Sequence, residues 1–309
     1  MKKKVCKGLA IFWSLFVGTG ALVGGICMLI KPDGSILQMQ WLLPYFRVLP
    51  FADKLFADYV FSGVMLIIVN GITNAVAFVF LLKKEKVGGC LCCVFGFTLM
   101  LWIIIQFVIF PPNAMDIIFF LIGFAQCITG YACFVYCSQS EFAFDENDYG
   151  KIGRDAKKAV VFFSREGYTK KLAYEKADAS GAKIIEIKTP ERTKGFSGFM
   201  WCGRFGMHRA GMPIEQTGED FSLYDEVTIC APIWVFSVCS PIREFCKRES
   251  GKIKKVNYCF VHFMKKDFLG SADELDGILK IKHDNLENVC CRFGKFKRKS
   301  SRLRKTDGK

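Results

Sequence analysis

The sequence predicts a chain in two parts: an α-helical transmembrane region of four helices, then an α/β domain with a doubly wound, parallel five-stranded sheet. Three observations carry this. Four long apolar runs crowd the first half, short apolar runs alternate with helix-like stretches in the second, and the composition between them turns polar and acidic through Glu141, Asp145, Glu146, Asp148 and Gly150. With 309 residues and 51% of them hydrophobic, the chain has room for two domains and is too apolar for one soluble domain. The expected divisions are a membrane region at 1–140, a linker at 141–157, the α/β domain at 158–291 and a polybasic tail at 292–309.

The apolar runs fall at 8–30, 57–82, 87–110 and 114–137. Each suffices, at about 1.5 Å per residue, to cross a hydrocarbon core of roughly 30 Å. Lys2, Lys3, Lys4 and Lys7 precede the first run, and Lys83, Lys84 and Lys86 separate the second from the third. Basic residues in short loops stay on the cytoplasmic side, so both termini are expected inside a cell membrane. The link Pro111-Pro112-Asn113 carries no charge and belongs outside, as does the segment 31–58, whose Trp41, Tyr45 and Phe46 suit a membrane interface. The first run is too long for a signal peptide and lacks a small-residue exit before Lys31-Pro32-Asp33. Gly20 and Gly24 form a small-residue pair for helix packing. Asn70 and Asn74 share one helix face, and Asp116, close to the Pro-Pro turn, reads as wet.

Net charge is +14, and much of the excess lies at the end, in Arg292, Lys295, Lys297, Arg298, Lys299, Arg302, Arg304, Lys305 and Lys309. Beside a bilayer, the expected partner of such a run is the anionic lipid head group, at about 1 kcal/mol per basic residue near the surface. Nucleic acid is not expected, because no readout motif is interleaved. The 15 cysteines are scattered, several inside the apolar runs, where free Cys acts as a small hydrophobe. No metal cluster and no nucleophile, base and orienting acid stand out.

In the second half, strands are expected at 159–164, 182–187, 226–231, 256–262 and 288–293. Helices are expected at 169–179, within 195–210, at 241–248 and at 271–281, the last opening on a capping box of Ser271 and Glu274. Unbroken apolar character in the first, third and fourth strands marks burial on both faces.

Two loops at strand ends carry the chemistry. Ser164-Arg165-Glu166-Gly167-Tyr168-Thr169 joins the first strand to a helix and sets hydroxyls, backbone N–H groups and a helix N-terminus around one spot, an arrangement suited to phosphate. Pro232-Ile233-Trp234-Val235-Phe236 ends the third strand in a turn with aromatic residues. VVFFSREGYTKKLA at 160–173 and YDEVTICAPIWVFSVCSPIREF at 224–245 resemble the flavodoxin family, over roughly residues 157–280. That resemblance implies the strand order 2-1-3-4-5 and bound FMN. Ser164, Gly167 and Thr169 fall on the family's phosphate loop, with Arg165 and Tyr168 at its variable positions. Glu166 departs from the usual Thr, although an acid there resembles the flavodoxin-type protoporphyrinogen oxidases, and Arg165, Lys170 and Lys171 are expected to offset its charge. Pro232, Ile233, Trp234, Val235 and Phe236 match the loop that meets the isoalloxazine, and His262 opens a third loop beside the ring. The resemblance implies a membrane-anchored, FMN-dependent electron carrier or oxidoreductase working with a quinone or a membrane redox protein. Its alternative is a tethered interaction or sensing module on the same fold, without FMN.

Overall fold

The computed structural model describes residues 2–299 and divides into two compact units that meet between Glu141 and Phe142. The first unit is helical. It contains α1 (Lys2–Ile30), a 3-10 segment Gln40–Val48, α2 (Ala52–Leu55), α3 (Val60–Leu66), a π turn Ile67–Ile72, α4 (Thr73–Lys83), α5 (Glu85–Ile109) and α6 (Ala114–Ser140). Four helices, Lys3–Ile30, Val60–Lys83, Glu85–Ile109 and Ala114–Ser140, are long and apolar enough to cross a membrane.

Their packing departs from the sequence expectation in three places. Gly20 faces open space, and close approach instead uses Gly25 against Gly63 and Gly96 against Gly123, where an added Cβ would sit 2.8 Å from the opposing carbonyl in each case. Asp116 is buried rather than wet: its N–H donates to Asn113 Oδ1 at 3.1 Å, and Asn113 Nδ2 donates to its carboxylate at 2.7 Å, which caps α6. Phe46 turns inward onto Phe56, Tyr59 and Phe110, while Trp41 and Tyr45 stay exposed. In the interior, Gln126 Nε2 donates to Asn74 Oδ1 at 2.6 Å and Asn74 Nδ2 to the Asn70 carbonyl at 2.8 Å, beside the π turn.

The second unit alternates strands and helices: β1 (Asp155–Phe162), α7 (Tyr168–Ser180), β2 (Ala182–Glu186), α8 (Gly195–Met207), β3 (Glu226–Trp234), β4 (Ser237–Val238), α9 (Ser240–Arg248), β5 (Val256–His262), α10 (Leu269–Leu279), β6 (Asn285–Arg292) and β7 (Lys295–Lys299). The sheet runs β2-β1-β3-β5-β6-β7 and is parallel up to β6, so its five parallel strands keep the order 2-1-3-4-5. Val161 points into one apolar layer, with Ile229 and Phe260, while Val160 and Phe162 point into the other, with Cys230 and Val261. Burial on both faces is why these strands read as unbroken apolar runs.

The expectation of five strands is two short. β4 folds back on the end of β3, and β7 pairs antiparallel with β6 through the turn at Phe293 and Gly294, both at positive φ. Residues 295–299 are therefore the sheet edge, not tail, and Arg298 pairs with Glu175 on α7. Charge density hid the strand, because Lys and Arg flank its inward Phe296. Arg302, Arg304, Lys305 and Lys309 lie outside the described residues.

The expected linker is packed as well. Phe142 meets Tyr168 at 4.7 Å, Phe144 meets Tyr174 at 5.1 Å, and Glu146 takes Lys170 at 2.5 Å, all on α7. The capping box at Ser271 does not form either: α10 begins two residues earlier, Asn288 Oδ1 accepts from Phe268 N–H at 3.2 Å, and Glu274 is drawn to Arg243.

Candidate functional site

In such a sheet a ligand binds beyond the carboxyl ends of the strands, at the point where connections leave in opposite directions. Here that point lies between β1 and β3, and the three loops singled out in the sequence all emerge on this edge.

The first loop leaves β1 after Phe163. Ser164 Oγ accepts from Gly167 N–H at 3.1 Å, which closes the loop and leaves the Ser164 hydroxyl proton free to donate outward. Gly167, at φ +88°, occupies the left-handed N-cap of α7, a conformation that a side chain resists. The first helical bond runs from Lys171 N–H to the Gly167 carbonyl, so the N–H groups of Tyr168, Thr169 and Lys170 have no intrahelical acceptor. The first turn of α7 holds no acidic residue, and Thr169 is buried within it. Glu166 does not stand alone, since Arg165 pairs with it at 2.8 Å and lies over the Phe199 ring. The expected help from Lys170 and Lys171 is not there: Lys170 turns to Glu146, and Lys171 lies over Phe142 and Phe296.

The second loop is a two-residue hairpin. β3 continues through Pro232 and Ile233 to Trp234, and Trp234 pairs with Ser237 across Val235 and Phe236. Both tip residues have positive φ, +45° and +64°, as a type I′ turn requires. A β-branched residue and a Phe in that region are strained, and both side chains are exposed. Trp234 is half-buried, edge-on to Phe163 at 5.5 Å, with its Cβ against Gly206 of α8.

The third loop begins at His262, whose ring is buried against Phe268 at 4.8 Å. Its Nδ1 bonds the Met264 carbonyl, which makes Nδ1 the donor and leaves Nε2 a buried acceptor with no partner. Burial lowers its pKa, so the ring is neutral near pH 7. An open cleft of about 280 Å³ separates the hairpin from this loop, between Phe236 and Ser237 on one side and Lys266, Phe268 and Ser271 on the other.

Sequence reading missed the support behind the hairpin. Arg243 of α9 is 1% exposed and binds Glu274 at 2.6 Å, Ser237 Oγ at 3.2 Å and the Ala210 carbonyl at 3.4 Å. One guanidinium thus joins α10, the hairpin and the segment after α8. The available signal was an arginine amid the apolar positions of a short helix.

These features define a doubly wound α/β domain of flavodoxin-like topology, with a phosphate-suited loop and a strained hairpin at its switch point. Solved structures similar to this chain include a flavoprotein from Lactobacillus acidophilus NCFM in complex with FMN, at 17% identity and TM-score 0.38, over 43% of this chain and 93% of that one. A proposed flavoprotein from Bacteroides eggerthii is similar at 22% identity and TM-score 0.39, over 43% of this chain and 88% of its own. One from Bacteroides uniformis matches at 20% identity and TM-score 0.38, over 44% and 93%. No family model and no curated protein matches the sequence.

Proposed function

We propose that the chain is a membrane-anchored FMN-binding protein that passes electrons to or from a quinone or a membrane redox partner. The observation that carries this reading is the first loop: free N–H groups at an acid-free helix N-terminus, beside the hydroxyls of Ser164 and Thr169. Those groups would hold the phosphate, and Arg165 neutralises Glu166 so that its carboxylate does not repel the dianion. FMN, once bound, supplies redox chemistry, accepting two electrons together and releasing them singly. Hairpin backbone groups at Trp234, Val235 and Phe236 would orient the ring beside a cleft whose charged lining is balanced, Arg209 and Lys266 against Asp267 and Glu274.

The four apolar helices would hold this domain at a cell membrane, with both termini on the cytoplasmic side and the remaining basic tail on anionic lipid. The test is a visible spectrum of fragment 142–309 with and without FMN. It starts at Phe142 because Phe142 and Phe144 pack on α7. Flavin absorbance with quenched fluorescence is expected; a colourless fragment that leaves FMN fluorescence unchanged would establish the alternative, a tethered module without cofactor. Trp234→Ala should weaken FMN binding by roughly 1–3 kcal/mol if its ring touches the flavin. Unchanged affinity, read by fluorescence titration, would assign Trp234 to packing against Phe163 alone.

A further inference from the structure

Helix α8 is built inside out. Its buried positions are the small residues Gly198, Cys202 and Gly206, spaced four apart, and Gly206 lets the helix close on Trp234. The large apolar side chains face away: Phe196 is 77% exposed, Met207 67%, and Phe199, Met200 and Trp201 are exposed between them. A helix on a soluble domain does the reverse, turning its bulky apolar stripe to the core. The hairpin tip extends the patch, since Ser237 Oγ reaches the Gly206 carbonyl at 3.3 Å and Val235 and Phe236 are exposed beside it. Contiguous apolar surface of this kind marks a docking face.

Its rim identifies the occupant. From Arg192 to Ile214 there is no acidic residue, while Arg192, Lys194, Arg204 and Arg209 are all exposed. Trp201 has the amphipathic arrangement of an interfacial residue: its Nε1–H donates to Glu191 at 2.7 Å and Arg204 lies over its ring. Aromatic and apolar bulk on one face with a rim in which four bases outnumber the single Glu191 carboxylate at Trp201 is the composition of a helix lying in a bilayer interface, where the bulk enters the acyl boundary and the bases meet anionic head groups.

We propose that α8 and the Val235–Phe236 tip form a peripheral docking surface for anionic lipid bilayer. The proposal rests on the reading that the four apolar helices cross a membrane, which supplies that bilayer at high effective concentration. Docking would bring the strained hairpin, and any ring held behind it, to the level where lipid-soluble carriers reside.

The test uses the full chain in nanodiscs of phosphatidylcholine and phosphatidylglycerol, with and without bromine on the acyl chains. Subtracting the emission of the Trp201→Phe protein isolates Trp201, because the other tryptophans are common to both. Brominated lipid should quench that component about twofold, and Phe196→Glu with Met200→Glu, or salt raised to about 1 M, should relieve the quenching. Failure of the chain to enter nanodiscs would sink the membrane reading and this one with it. Entry with Trp201 unquenched by bromine but open to iodide would overturn the docking surface alone. Shielding from both quenchers would overturn it in favour of a protein partner or the chain's own helices.

Discussion

Replacing Val235-Phe236 by Asn-Gly should make the second unit more stable and the candidate site worse. Both residues hold positive φ, +45° and +64°, in a two-residue turn that favours Asn-Gly. The left-handed region costs an ordinary L-residue roughly 1–2 kcal/mol, so the pair stores about 2–4 kcal/mol that the new turn releases. Against this stands the partial apolar burial of the Val235 and Phe236 side chains, which are 44% and 64% exposed and would be removed. At about 25 cal/mol per Å² that burial offsets roughly 1–2 kcal/mol, leaving a net gain of about 1.5 kcal/mol at the middle of the two ranges. Urea unfolding of fragment 142–309 followed by circular dichroism measures it as a raised midpoint at unchanged slope. In parallel, FMN titration should show weaker binding, because the turn keeps its backbone but loses the Phe236 side chain that lines the cleft. An unchanged or lowered midpoint would refute the strain argument. A raised midpoint with full flavin affinity would show that the strain serves something other than the cofactor.

Three further outcomes follow from the same geometry. Gly167→Ala places a Cβ at φ +88° and 3.3 Å from the Phe142 ring, so it should cost about 1–2 kcal/mol in urea unfolding and weaken phosphate-dependent binding. Arg243→Met breaks a buried ion pair and should destabilise fragment 142–309 by about 3–5 kcal/mol, with partial recovery in the Arg243→Met, Glu274→Met protein, in which no charge is left unpaired. His262 is held neutral by burial, so its folded pKa lies below the unfolded value of about 6.5. Its contribution is complete above that pH and is lost as pH falls towards the folded value, because only the unfolded chain binds the proton. Fragment 142–309 should lose urea stability below about pH 6.5, and His262→Gln should flatten that slope if His262 is its source.

Much of the fold was legible because local pattern and tertiary demand agree. Strands buried on both faces must be apolar throughout, which is why Val160 to Phe162 and Val256 to His262 announce themselves. The strand at Lys295–Lys299 did not, since Phe296 packs inward between the exposed charges of Lys295, Lys297 and Arg298. Ser271 and Glu274 have a capping spacing, yet a buried guanidinium outcompetes a cap for the carboxylate. Ser164, Gly167 and Thr169 were readable as a strand-to-helix loop suited to an anion because its left-handed N-cap demands a glycine and hydroxyls flank it. Of the three bases expected to offset Glu166, Arg165 pairs with it while Lys170 and Lys171 turn to other partners.

The sequence by itself determined the four apolar helices, the succession of strands and helices, and the two loops in which hydroxyls, glycine and aromatics cluster. Those properties follow from side-chain chemistry over a few neighbouring residues. Only the tertiary structure decided that Arg243 braces the hairpin from α9, that Val235 and Phe236 are strained, and that α8 turns its bulk outward from a spine of small residues. Each depends on backbones from distant parts of the chain approaching closely, and pairwise distance between remote segments is not written in composition or spacing.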